Sequence, residues 1–269
     1  MNPHDSHPAA SGKARHLLAV ASLAMAGSLW GTGFLFGKIA MEQMTVAENV
    51  AFRLLTGALL LVPVAVRHWK PFRGRELWIL LLASVIGVPL QFLVQFYGLS
   101  LTTVSHASLI VGVLPVMLAL ASAVILHERL HGPEYGALAL SAIGAMLIAL
   151  SSGHSAQGPR ASWYGDFLVL LSMCAAVVMI LCSKRLIASH GALPVTATTV
   201  ILGTMILLAW VELTEPVRFH FSTKTWLAAF AQGLLATAGA YLFWNWGLAH
   251  MPASKAGIFL NLEPVVGAI

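Results

Sequence analysis

From residue 17 to the last residue the sequence is a succession of apolar runs, each of about 16–21 residues, separated by short polar breaks. A helix needs roughly 20 apolar residues to cross a hydrocarbon core of about 30 Å. The runs lie at 17–36, 50–66, 77–97, 107–126, 135–150, 167–182, 193–211 and 226–246, and a ninth begins near Ala256 and is cut short at Ile269. They are continuous rather than alternating, which argues against an outer-membrane barrel. Only 9% of the residues are charged and 58% are hydrophobic. A soluble fold of this length needs a charged shell, for which such a chain lacks the residues. The expected fold class is therefore all-α, a polytopic helical membrane protein.

One stretch is written twice. Gly98-Leu99, Ser105, Ala107, Pro115-Val116 and Ala119 recur as Gly247-Leu248, Ser254, Ala256, Pro264-Val265 and Ala268, at a constant offset of 149 residues. Duplicated membrane halves are how many secondary transporters are built. The chain crosses the bilayer five times between the two copies, and an odd number turns the second copy upside down. The expected organisation is a disordered cytoplasmic N-terminus (1–16), a first five-helix repeat (17–150), an external linker (151–164) and an incomplete, inverted second repeat (165–269).

Orientation follows from the basic residues. Lys13, Arg15, Arg67, Lys70, Arg73, Arg75, Arg129, Lys184, Arg185 and Lys255 share one side, against Lys38, Arg160, Arg218 and Lys224 on the other. That places the N-terminus in the cytoplasm and explains the net charge of +5 without nucleic acid. Cys174 and Cys182 are two turns apart on one expected helix, about 12 Å, too far to pair.

An ordered set of short pieces resembles the EamA-like permeases of the drug/metabolite transporter superfamily, of the ten-helix type. They are Trp30-Gly31, Ala51-Phe52-Arg53, Tyr97-Gly98-Leu99, Leu114-Pro115, Glu128-Arg129-Leu130, Gly165-Asp166, Asn245-Trp246-Gly247-Leu248, Pro252-Ala253 and Asn261-Leu262-Glu263-Pro264. The resemblance implies a permease of the bacterial inner membrane, often an exporter of amino acids, metabolites or drug-like compounds, with a small-molecule substrate and no cofactor. It also implies a tenth helix and the rest of the ninth, which this sequence does not contain.

Glu263 is the sharpest candidate for function. It stands about seven residues into the ninth run, where a charge costs about 2.5–3.5 kcal/mol, and Pro264 after it weakens the helix. Proton coupling or binding of a substrate amine is one reading, and a structural acid paired with Lys255 or a neighbouring helix is the other. Lys255, at the mouth of that run, is equally suited to reach the interface. Asn261 fits binding or helix–helix hydrogen bonding. Arg53 is expected to pair with Glu48 or Glu42, or to snorkel outward. Gln91 and Gln95, one turn apart, share a face. With Tyr241, Trp244 and Asn245 they would suit an amphiphilic pocket, although an interfacial belt would use the same aromatics. Trp30, among Gly27, Gly31, Gly33 and Gly37, fits a pocket wall or close helix packing. The third, fourth, eighth and ninth runs are expected to line the cavity.

Two other readings are open to the sequence. His127-Glu128-Arg129-Leu130-His131 matches H-E-x-x-H, the signature of an intramembrane zinc metalloprotease, but Gly132-Pro133 ends the helix at the second histidine and no third ligand stands in a familiar context. The other is an inactive, truncated permease.

Overall fold

The computed structural model describes residues 8–103, 107, 110–128, 132, 135–136, 138–140, 143, 162–214, 216 and 218–267. The described residues form helices and short connections. In chain order the helices are α1 (Pro8–Ala40), α2 (Val46–Arg67), α3 (Arg75–Leu101), α4 (Leu114–Ile125), α5 (Trp163–His190), α6 (Ala192–Thr214) and α7 (Thr223–His250). Last comes α8, built of Ala253–Ala256, a 3-10 segment Gly257–Asn261 and Leu262–Gly267. All but α4 and α8 are long and apolar enough to cross a membrane. They are longer than the apolar runs at both ends, because polar residues continue each helix into the headgroup region. The fifth expected run, 135–150, and the linker up to residue 161 lie mostly outside the described residues.

Two of the long helices are not plain α-helix. α3 widens into a π-helical turn at Ile86–Leu90, and α7 does the same at Leu234–Gly239. Leu90 and Gly239 differ by the repeat offset of 149, and so do Leu101 and His250, where the two helices end. The duplication read from a handful of residues thus extends to an irregularity of the backbone. A wide turn inserts one residue, re-aims every side chain beyond it and is common at functional sites.

The helices that carry the repeated Gly-Leu pair each pack closely on another helix. At Gly98 of α3, a side chain would lie 2.9 Å from the Gly165 carbonyl of α5; at Gly247 of α7, it would lie 2.5 Å from Leu23 of α1. The repeated Gly-Leu pair therefore marks the two places where α3 lies against α5 and α7 against α1. One large apolar core runs through all of these contacts, from Leu23 and Leu54 to Leu118, Leu186 and Leu248. Outside it, Leu59, Val66, Trp78, Val124 and Leu213 are largely exposed, an apolar coat that suits lipid rather than water.

The corner between α7 and α8 is capped by charges of the sign each helix end favours. Lys184 Nζ donates to the Leu248 and Met251 carbonyls at 2.5 and 2.6 Å. Glu128 accepts the Ala253 N–H (3.0 Å), the Ser254 N–H (2.9 Å) and the Ser254 hydroxyl (2.8 Å).

Candidate functional site

A narrow cavity opens within the bundle. The wide turn of α3 directs Gln91, Phe92, Gln95 and Phe96 into it, and α7 beyond its own wide turn contributes Tyr241, Trp244 and Asn245. α8 adds Leu260 and Glu263, and α4 adds Leu114. These are the four spans expected from sequence. Three more take part: α1 with Trp30, Gly33 and Phe34, α2 with Arg53, and α5 with Met173, Ala176, Met179, Ile180 and Ser183.

Gln91, Gln95, Tyr241, Trp244, Asn245, Trp30, Glu263 and Arg53 thus share one cavity. Asn261 does not line it; its Nδ2 donates to the Ile258 carbonyl of its own turn at 3.0 Å. Lys255 is exposed at the start of α8, away from the cavity. Tyr241 and Trp244 are 4% and 2% exposed, which rules out an interfacial belt for both. They form an aromatic wall with Trp30, whose ring meets Tyr241 edge-on at 5.6 Å and Trp244 at 5.3 Å. Such arrangements add to the area buried.

Arg53 departs from expectation. Glu48 is taken by Arg218, at 2.6 Å, and Glu42 by Lys224, at 2.9 Å. The Glu48 hydrogen bond raises the Arg218 guanidinium above its ordinary pKa. Glu48 also closes a capping box on Thr45 at the start of α2, so its carboxylate is held at the helix mouth while Arg53 faces the bundle. Arg53, 3% exposed, donates from Nε to Thr237 Oγ1 at 2.9 Å and from a terminal nitrogen to the Ala236 carbonyl at 3.0 Å. Its guanidinium carbon lies 4.1 Å from the centre of the Phe92 ring, a cation–π contact. A buried charge persists only when its donors are used, and here the wide turn of α7 and an aromatic face use them. Glu263 lines the same cavity, half-buried, and its charge and that of Arg53 attract.

Sequence reasoning missed the α5 wall. Met173, Met179 and Ile180 carry no sign that sets them apart from any buried apolar helix. Phe92 and Phe96 were within reach, since they adjoin Gln91 and Gln95.

The metalloprotease reading fails at Glu128. The motif requires a free carboxylate as base, and both oxygens of Glu128 are engaged by the first turn of α8. His131 lies outside the described residues.

Helices that cross the bilayer around a cavity holding a carboxylate, a guanidinium and amides define a multi-pass helical membrane protein with a polar interior site. The chain belongs to the EamA-like transporter family, whose sequence profile matches residues 17–150 and 163–269. It is a membrane transporter. Similar curated proteins include the uncharacterized transporter YetK of Bacillus subtilis (25% identical, covering 93% of this chain and 78% of YetK). A probable terminal-alkyne amino-acid exporter of Streptantibioticus cattleyicolor is 26% identical over 93% of this chain and 83% of its own length. A biotin transporter of Salmonella typhimurium is 25% identical over 90% and 80%. A solved crystal structure superposes with a TM-score of 0.75 at 18% identity, covering 95% of this chain and 86% of the other, and so has the same fold.

Proposed function

We propose that this protein is a secondary transporter that exports small amphiphilic compounds, such as metabolites, amino acids or drug-like molecules, across the bacterial inner membrane, its N-terminus in the cytoplasm. The observation that carries this reading is the cavity itself. It is drawn from both duplicated halves and holds one carboxylate and one guanidinium between aromatic walls. A substrate with an apolar body and a charged group would exchange its hydration for these contacts.

Inverted halves meeting around one site are the geometry of alternating access. The matched wide turns and the reciprocal contacts at Gly98 and Gly247 support two structurally equivalent halves. Rocking of one against the other would open the cavity to each side in turn. Protons are the coupling ion in this reading, with Glu263 as the group that takes and releases them. In this reading the Arg53 guanidinium, on the same cavity wall, is the counter-charge that Glu263 exchanges for substrate or proton.

The test is transport in proteoliposomes with an imposed pH gradient, using substrates identified by a resistance screen. Glu263→Gln is expected to abolish the pH dependence while substrate exchange at equal pH persists. Unchanged pH dependence in that variant removes the coupling role.

A further inference from the structure

Among the described residues, three polar atoms on the cavity wall find no hydrogen-bond partner. They are Ser183 Oγ of α5 and Trp244 Nε1 and Asn245 Oδ1 of α7. Each of the three residues is 2% exposed. A buried polar group without a partner costs about 1–3 kcal/mol, and this cost falls three times on one lining. All three lie within two turns of the ends of α5 and α7, near the Lys184–Glu128 corner. Glu263 lies about 15 Å along α8 from that corner, at a rise of 1.5 Å per residue.

The chemistry of the three atoms is fixed. Thr196 Oγ1 donates its one hydrogen to the Ala192 carbonyl at 2.8 Å, so toward Asn245 it can only accept. Asn245 must therefore turn Nδ2 to Thr196, at 2.7 Å, which leaves Oδ1 as the buried acceptor still to be satisfied. Oδ1 accepts only, the Trp244 indole donates only, and the Ser183 hydroxyl does either. An ammonium group cannot satisfy the indole, and a carboxylate cannot satisfy Oδ1. One neutral group that both accepts and donates satisfies all three.

We propose that Ser183, Trp244 and Asn245 form a neutral hydrogen-bonding subsite, separate from the Arg53–Glu263 region, that takes a carboxamide-like group on an otherwise apolar substrate. The ligand oxygen accepts from Trp244 Nε1 and Ser183 Oγ, and its N–H donates to Asn245 Oδ1. This rests on the cavity being the transport site, and it selects among amphiphiles by their neutral end.

Phenylacetamide, phenylacetate and phenethylamine share a ring and spacer and differ in the end group, so they serve as probes. Their binding to the full-length protein in nanodiscs is measured by saturation-transfer NMR titration. The amide is expected to bind most tightly. Trp244→Phe, which removes the N–H together with the pyrrole ring, is expected to weaken the amide about tenfold and phenethylamine much less. Ser183→Ala is expected to act in the same direction with the fold undisturbed. Binding of the amine or the anion in preference to the amide overturns the subsite and leaves the transport reading standing. Equal weakening of all three probes by Trp244→Phe also overturns it, because the indole is then only a wall. If none of the three binds, the subsite is overturned, and transport in proteoliposomes decides the cavity reading by itself.

Discussion

The wide turns of α3 and α7 occupy matched positions and are held in different ways. In α7, the turn Leu234–Gly239 is gripped by a charge, since Arg53 of α2 donates to the Ala236 carbonyl and to Thr237. In α3, the turn Ile86–Leu90 meets α6, the counterpart of α2, where position 202, one offset from Arg53, is leucine. There the grip is steric: a side chain at Gly203 would lie 2.6 Å from the Ser84 carbonyl and 2.5 Å from Val88. One half has exchanged an apolar contact for a buried cation that also faces the cavity. The two turns match in position, and the difference between them puts a guanidinium on the cavity wall that also carries Glu263.

The largest expected effect comes from erasing that departure. Arg53→Leu gives α2 the residue that α6 carries and leaves the Ala236 carbonyl and Thr237 without their donor. Loss of two charged hydrogen bonds is expected to lower stability by about 3 kcal/mol and to abolish transport. Thermal unfolding in detergent and uptake by proteoliposomes check this. An Arg53→Leu protein that melts with the parent and still transports would show that the charge is incidental and the two turns equivalent.

The steric grip is tested from the other side. Gly203→Val drives methyl groups into Ser84 and Val88, and overpacking of this kind costs about 2 kcal/mol. The effect is expected to be smaller than that of Arg53→Leu because an apolar helix contact can be relieved by moving α6 away from α3 as a body, whereas a buried donor–acceptor set cannot be replaced. A Gly203→Val protein less stable than Arg53→Leu would reverse that ranking of the two halves.

This asymmetry also explains what the sequence could convey. Apolar length dictates a spanning helix whatever surrounds it, so the spans were legible. Gln91 with Gln95, and Tyr241 with Trp244 and Asn245, were legible as the lining of one cavity because polar and aromatic residues inside an apolar run need a reason to be there. Arg53 was legible as anomalous but not as to partner. Its acceptors are a backbone carbonyl and a hydroxyl some 180 residues away, and a backbone acceptor leaves no residue type to read. The obvious acids, Glu48 and Glu42, are closer in sequence but are taken by Arg218 and Lys224 at the helix mouths. Asn261 misled for the opposite reason, since a polar residue beside Glu263 bonds its own turn.

The smallest expected effect concerns Pro89, which sits inside the α3 turn. Proline lacks an N–H and crowds the carbonyl four residues before it, so it is tempting to regard it as the cause of the widening. The α7 turn contains no proline and is wide all the same. Packing against the neighbouring helix must therefore suffice, in α7 through Arg53 and in α3 through the close approach at Gly203. Closing the α3 turn would also rotate Gln91 and Gln95 by about 100° out of the cavity, against every contact that holds them. Pro89→Ala is expected to keep the wide turn and to change stability by only about 0.5 kcal/mol, with transport intact. Amide hydrogen exchange across 86–91, read alongside the melting curve, decides it. Strong new protection there, with transport lost, would mean that proline makes the α3 turn while the α2 contact makes the α7 turn, and the two would then be alike in position only.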